Sequence, residues 1–145
     1  MGKPVRLFKV LRADLRPPIQ SEKAPYVPGV WTRHVPRDKI WLCVRGYHYC
    51  QGGEVAEWLS PWSEVVAEIE VCSKHEQWPE WRHAGVKAVT CSLRIVRYWR
   101  LTREDKQALF ANTAKGDFPA SRIVYKRLRG ILDTLKPDWE MEAGK

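Results

Sequence analysis

The sequence predicts an α+β fold, a small and largely antiparallel sheet with one short internal helix and two C-terminal helices. Three observations carry this. Residues 64–71 and 89–95 alternate apolar and polar side chains with a period of two, the signature of half-buried strands. Residues 102–136 change to a helical period and are punctuated by Gly116, Pro119 and Pro137. The element order, a strand, an arm, a strand, a short helix, two strands and two terminal helices, is that of an α+β domain with helices on one side or end of the sheet. With 145 residues, a single core is the natural solution, since domains commonly form at roughly 100–200 residues. The expected single domain, 1–145, comprises a proline-rich arm at 12–38, a sheet core at 40–100 and a helical part at 102–136.

Val5 to Leu11 reads as a short strand. The arm that follows holds Pro17, Pro18, Pro25, Pro28 and Pro36, each lacking a backbone donor and biasing the residue before it away from helix. Tyr26 and Trp31 are its available anchors. The run KIWLCVRGYHYC is apolar on both faces from Ile40 to Val44, as in a strand covered on both sides, and Gly46 interrupts it. Gly52 and Gly53 break the chain. Val55, Trp58 and Leu59 then fall at i, i+3 and i+4 of a short helix.

In SEVVAEIEV, Val65, Ala67, Ile69 and Val71 share one face, and Glu64, Val66, Glu68 and Glu70 the other. In KAVTCSLRIVRYWR, Val89, Cys91, Leu93 and Ile95 face opposite to Thr90, Ser92 and Arg94. Pairing the two strands sets glutamates against polar and basic residues, worth roughly 0.2–1 kcal/mol per cross-strand pair. The loop between them carries Trp78 and Trp81 around Pro79. Thr102, with Asp105 three residues on, reads as a helix N-cap close to a capping box, and Gly116 as a stop. In the last helix Val124, Leu128, Ile131 and Leu135 form the seam; Arg122, Lys126, Arg129 and Lys136 lie opposite. The tail DWEMEAGK is expected to fray.

The composition restricts function class. There is no apolar run of the roughly 18–20 residues that a membrane span needs, and MGKPVRLFKV has no uncharged stretch suited to a signal peptide, so a cytoplasmic setting is expected and a membrane partner is not. The four cysteines are then expected as thiols or ligands, not bridges. Lys and Arg number 25 against 17 Asp and Glu, a formal net charge of +8. Such a field favours anionic partners: nucleic acid, a nucleoprotein complex or an acidic host protein.

Several constellations bear on chemistry. His48, Cys50, Cys72 and His75 supply a zinc-type ligand set but lack the usual tight Cys-x2–4-Cys knuckle. Cys50 with His48, or Cys72 with His75, provides nucleophile and base without a glycine-rich oxyanion loop. Tyr47, His48 and Glu68 (or Glu70) would take the catalytic roles of a small ADP-ribosyltransferase-like enzyme, although the ordered motifs of that class are not visible. Against all three stands the ordinary role of such residues as packed strand side chains. No phosphate-binding loop, dinucleotide fingerprint or His-Glu-x-x-His motif occurs, and no cofactor is implied.

Basic and aromatic residues give the stronger surface signal. Arg94, Arg97 and Arg100 recur at every third position around Tyr98 and Trp99, and the last helix adds Arg122, Lys126, Arg127 and Arg129. Cations on a phosphate backbone supply salt-dependent affinity, and exposed rings such as those of Trp78 and Trp81 stack on unpaired bases or fill a protein partner's pocket. A solvated helix face is the competing explanation. The expectation is a binding module, without catalysis, using these nine residues.

From Gly46 to Val71, GYHYCQGGEVAEWLSPWSEVVAEIEV, and from Lys87 to Trp99, KAVTCSLRIVRYW, the sequence resembles a family of uncharacterised domains of phage and bacterial proteins. Its pattern is a Gly-aromatic-His-x-Cys strand, a short helix ending Trp-Leu, an acidic alternating strand and a basic-ended strand, over residues 40–100. The resemblance implies a small α+β domain, phage-associated, for which a counter-defence or host-takeover role is the corresponding expectation.

Overall fold

The computed structural model describes residues 6–17, 24–35, 47–51, 55–56, 59, 63–72, 88–90, 92–111 and 118–142. Among these described residues six strands, β1 (Leu7–Leu11), β2 (Tyr47–Gln51), β3 (Val65–Val71), β4 (Ala88–Thr90), β5 (Leu93–Arg100) and β6 (Trp139–Glu140), form one sheet of order β4-β2-β1-β3-β5-β6. Every neighbouring pair is antiparallel. With α1 (Arg103–Phe110) and α2 (Phe118–Thr134), the class is α+β, as the two periodicities require.

Both faces of the sheet are covered, by different means. On one face Phe8, Val10, Cys50, Val66 and Trp99 pack with Leu109 of α1 and Val124, Leu128 and Leu132 of α2. On the other, Leu11, Tyr49, Val65, Ala67, Ile69, Leu93 and Ile95 pack beneath Leu15, Tyr26 and Trp139. Burial of these side chains, worth roughly 1.5–3 kcal/mol for each large aliphatic or Phe removed from water, is the main favourable contribution to the fold.

The arm makes the second cover and also closes a strand edge. Tyr26 N donates to Leu15 O at 3.0 Å, Gly29 N to Ile95 O at 2.9 Å and Thr32 N to Leu93 O at 2.9 Å. Thr32 Oγ1 accepts from Leu93 N at 3.1 Å, and Ser92 Oγ donates to Thr32 O at 2.8 Å. Asp138 N and Met141 N donate to Tyr98 O and Val96 O. The outer edge of β5 between residues 93 and 98 is thereby satisfied, which removes a site for unwanted strand pairing. Of the two expected anchors, Tyr26 is packed in, while Trp31 is 40% exposed with the Arg94 guanidinium 4.9 Å from its ring centroid.

Other expectations are corrected. The tail does not fray at Trp139 and Glu140; Trp139 stacks on Tyr98 with ring centroids 6.3 Å apart. Helix α1 stops at Phe110, short of Gly116. The seam of α2 runs through Leu132 in place of Leu135, which is 46% exposed. The strand segment 40–46 and most of the helix expected at 54–59 lie outside the described residues, which show there only a 3₁₀ conformation at Val55 and Ala56.

Candidate functional site

The arginines of β5 do not gather into one cationic surface. Register sets Glu68 opposite Arg97 and Glu70 opposite Arg94, with Val96 as the extra residue between them. Glu68, whose side chain is only 12% exposed, accepts from Arg6 Nη2 at 2.9 Å, Arg6 Nε at 3.2 Å and Arg97 Nη1 at 2.7 Å. Arg6 continues to Asp133 of α2 at 3.0 Å, Arg97 to Glu140 at 2.8 Å, and Arg94 pairs with Glu70. Burial pushes the Glu68 carboxyl up, but hydrogen bonds from Arg6 and Arg97 outweigh it and hold the group below its usual range. Burial alone would lower Arg97, yet bonds to Glu68 and Glu140 raise it.

This lattice contains three guanidiniums, Arg6, Arg94 and Arg97, and four carboxylates, Asp133, Glu68, Glu70 and Glu140. Its local balance is 3 − 4 = −1, so it has no surplus charge to offer a phosphate. The bulge leaves Arg100 opposite Val65, on the arm-covered face, where its Nη1 donates to Ala13 O at 2.8 Å and its guanidinium lies over the Tyr98 ring. Periodicity of three along a strand therefore misreads as a patch: side-chain alternation divides it between faces.

The helices behave differently. Lys126, Arg129 and Lys136 of α2 and its exit, and Arg103 at the start of α1, are exposed. Among the described residues no carboxylate lies within ion-pair distance of any of them, nor of Lys106. Lys126 projects from the face opposite Val124, Leu128 and Leu132, and Arg129 from its flank, about 100° round the helix from Leu128, as the 3.6-residue period dictates. Arg127 is diverted inward: its Nη1 donates to Leu109 O at 3.1 Å and Ala111 O at 2.6 Å, satisfying carbonyls at the end of α1. Arg122 belongs to the second turn of α2.

Along α1, Arg103, Lys106, Gln107, Phe110 and Ala111 line an open groove of about 400 Å3. These positions fall at i, i+3, i+4, i+7 and i+8, one helical stripe. Glu104 and Asp105 lie off it, and Asp105 is held in the capping box with Thr102, at 2.9 and 3.0 Å. Arg103 and Lys106 were not among the residues the sequence singled out; their spacing within LTREDKQALF was the available signal.

Among the described residues, the members of the ADP-ribosyltransferase-type and zinc-type sets are not brought together. Tyr47 directs its hydroxyl to Arg33 O at 2.6 Å and packs with Tyr26 on the arm face, whereas strand alternation puts His48 on the other face with Cys50. Strand β1 separates β2 from β3, so His48 and Glu68 stand two strands apart, about 10 Å at a strand spacing of about 4.8 Å. Cys72 lies beyond the end of β3, four residues past the level of Cys50. At about 3.3 Å per residue that adds about 13 Å along the sheet. Among the described residues no three His, Cys, Asp or Glu side chains come together as metal ligands. His75, Trp78 and Trp81 lie outside the described residues.

No helix among the described residues is long and apolar enough to cross a membrane. Comparison with known proteins adds no analogue. No protein-family model, curated protein or solved structure matches this chain.

Proposed function

We propose that the protein is a non-catalytic binding module that docks nucleic acid, free or within a nucleoprotein complex, on the outward surface of its helical layer. One observation carries this reading: among the described residues Arg6, Arg94 and Arg97 on the sheet are matched by carboxylates and Arg100 is held on the Ala13 carbonyl, while Arg103, Lys106, Lys126, Arg129 and Lys136 have no carboxylate partner. Unmatched cations on one layer of a chain with net charge +8 release counterions from a polyanion at little desolvation cost. Arg94, Arg97 and Arg100 are reassigned from ligand binding to architecture, and Arg127 to holding α1.

Fluorescence anisotropy with labelled single-stranded and duplex oligonucleotides at two salt concentrations tests it. Binding should weaken on raising salt, with a log–log slope of about 0.7–0.9 per phosphate neutralised. Salt-insensitive or undetectable binding to every oligonucleotide rejects the reading.

A second reading has its own observation. Val27, Val30 and Trp31 on the arm are 61%, 55% and 40% exposed, an apolar cluster of the kind that meets a protein partner. In the phage setting suggested by residues 40–100, that partner would be a host protein in the cytoplasm, bound as a counter-defence or takeover step.

A further inference from the structure

The α1 groove combines features the module reading alone does not use. Arg103 and Lys106 give two cations one turn apart on the same stripe, about 5–6 Å between Cβ atoms, close to the span from one backbone phosphate to the next. Gln107 is exposed and offers an amide that both donates and accepts. Phe110, half-buried against the core, brings an aromatic ring to the same wall. Where that wall ends at Ala111, the Arg127 guanidinium is fixed on the carbonyl at 2.6 Å, adding positive charge to that end.

We infer that this groove receives one nucleotide of a single-stranded nucleic acid, its phosphates on Arg103 and Lys106, its base against Phe110 and a base edge on Gln107. This rests on the nucleic-acid reading and adds strand selectivity to it. A duplex keeps its bases stacked and paired, so it presents phosphates to α1 but no free ring face for Phe110. Lys126, Arg129 and Lys136 would contribute the strand-independent share of affinity. An acidic peptide satisfies the two cations but has no use for the ring or the amide.

Anisotropy with oligothymidine and with a duplex of equal length tests the inference. Wild-type protein should favour the single strand. Phe110→Leu keeps an apolar side chain and removes the ring; it should weaken oligothymidine binding roughly 5- to 100-fold, as loss of one base stack does, and leave duplex binding within about twofold. Because Phe110 also packs against the core, Gln107→Glu serves as the second variant, an exposed change that places a negative charge in the groove. It should weaken the single strand more than the duplex, with circular dichroism unchanged. Equal losses on both strands, or none on the single strand, overturn the groove assignment. If Lys126→Ala/Arg129→Ala still weakens both ligands in that event, the module reading survives alone. Displacement of oligothymidine by polyglutamate at matching charge concentration would also overturn the assignment, in favour of an acidic protein partner.

Discussion

Glu68 shows how one residue can look catalytic in sequence and be structural in space. Its carboxylate joins the strand-entry residue Arg6 to β5, and through Arg6 and Asp133 the sheet to α2. Because its folded pKa lies below the unfolded value of about 4.3, its contribution is full above that value and is lost as pH falls through the folded pKa. Glu68→Gln should lower stability at neutral pH by about 1–3 kcal/mol, the usual cost of removing one partner from a buried charged hydrogen bond. It should also flatten the acid limb of the stability profile below about pH 4.5, measured by urea denaturation across pH.

Two glycines should respond oppositely. Gly29 has φ of +79°, and an added Cβ would lie 3.1 Å from Trp139 Cη2, so Gly29→Ala should cost about 1–2 kcal/mol, the left-handed penalty for an L residue. Around Gly130, in the exposed face of α2, an added Cβ meets nothing within 4 Å. Gly130→Ala should stabilise by about 0.5–1 kcal/mol through helix propensity and a less flexible unfolded chain. Thermal melts of the two variants check both signs.

Taken as separate elements, the helices are marginal and depend on directed contacts. An eight-residue helix such as α1 has almost no stability alone. It is held by the Thr102–Asp105 capping box at one end and by Arg127 at the other. Thr102→Ala should cost about 1 kcal/mol. Arg127→Met, which keeps much of the stem and removes the donors, should reduce hydrogen-exchange protection in α1 more than in β3. Helix α2 is fixed at its exit by Trp99, whose Nε1 donates to Leu135 O at 3.1 Å. That bond satisfies the indole donor and lets Trp99 be buried, at 3% exposure, beside otherwise exposed positions.

Across the folded molecule, charge is sorted by layer. Cross-strand pairing occupies Arg94 and Arg97, and the Ala13 carbonyl holds Arg100; among the described residues no acidic strand faces the outward side of α2, so its cations remain available. Lys126→Ala/Arg129→Ala should leave the melting temperature within about 2 °C, since exposed unpaired cations contribute little to stability. Its salt slope should fall by about 2, one for each phosphate no longer neutralised. Arg97→Gln should do the reverse, lowering the melting temperature through the Glu68 lattice while leaving the slope unchanged. A drop in slope for Arg97→Gln would place that arginine at the interface after all.

Local chemistry was enough to specify the class and much of the secondary structure. Alternation in 65–71 and 93–95 marked two strands and most of the residues they bury, and charge complementarity marked that the two pair, but not the register that sets Glu68 against Arg97 and Glu70 against Arg94. Thr102 and Asp105 announced their cap because that chemistry is contained within four residues. Long-range packing, in contrast, placed β1 between β2 and β3, laid the arm over the second face and brought residues 139–140 into the sheet. Those outcomes depend on pairings between residues far apart in the chain, whose backbone partners leave no mark on local periodicity. The division of the cations has the same origin: a row of arginines reads as a patch until the pleat, the bulge at Val96 and the opposing glutamates determine which charges stay unmatched.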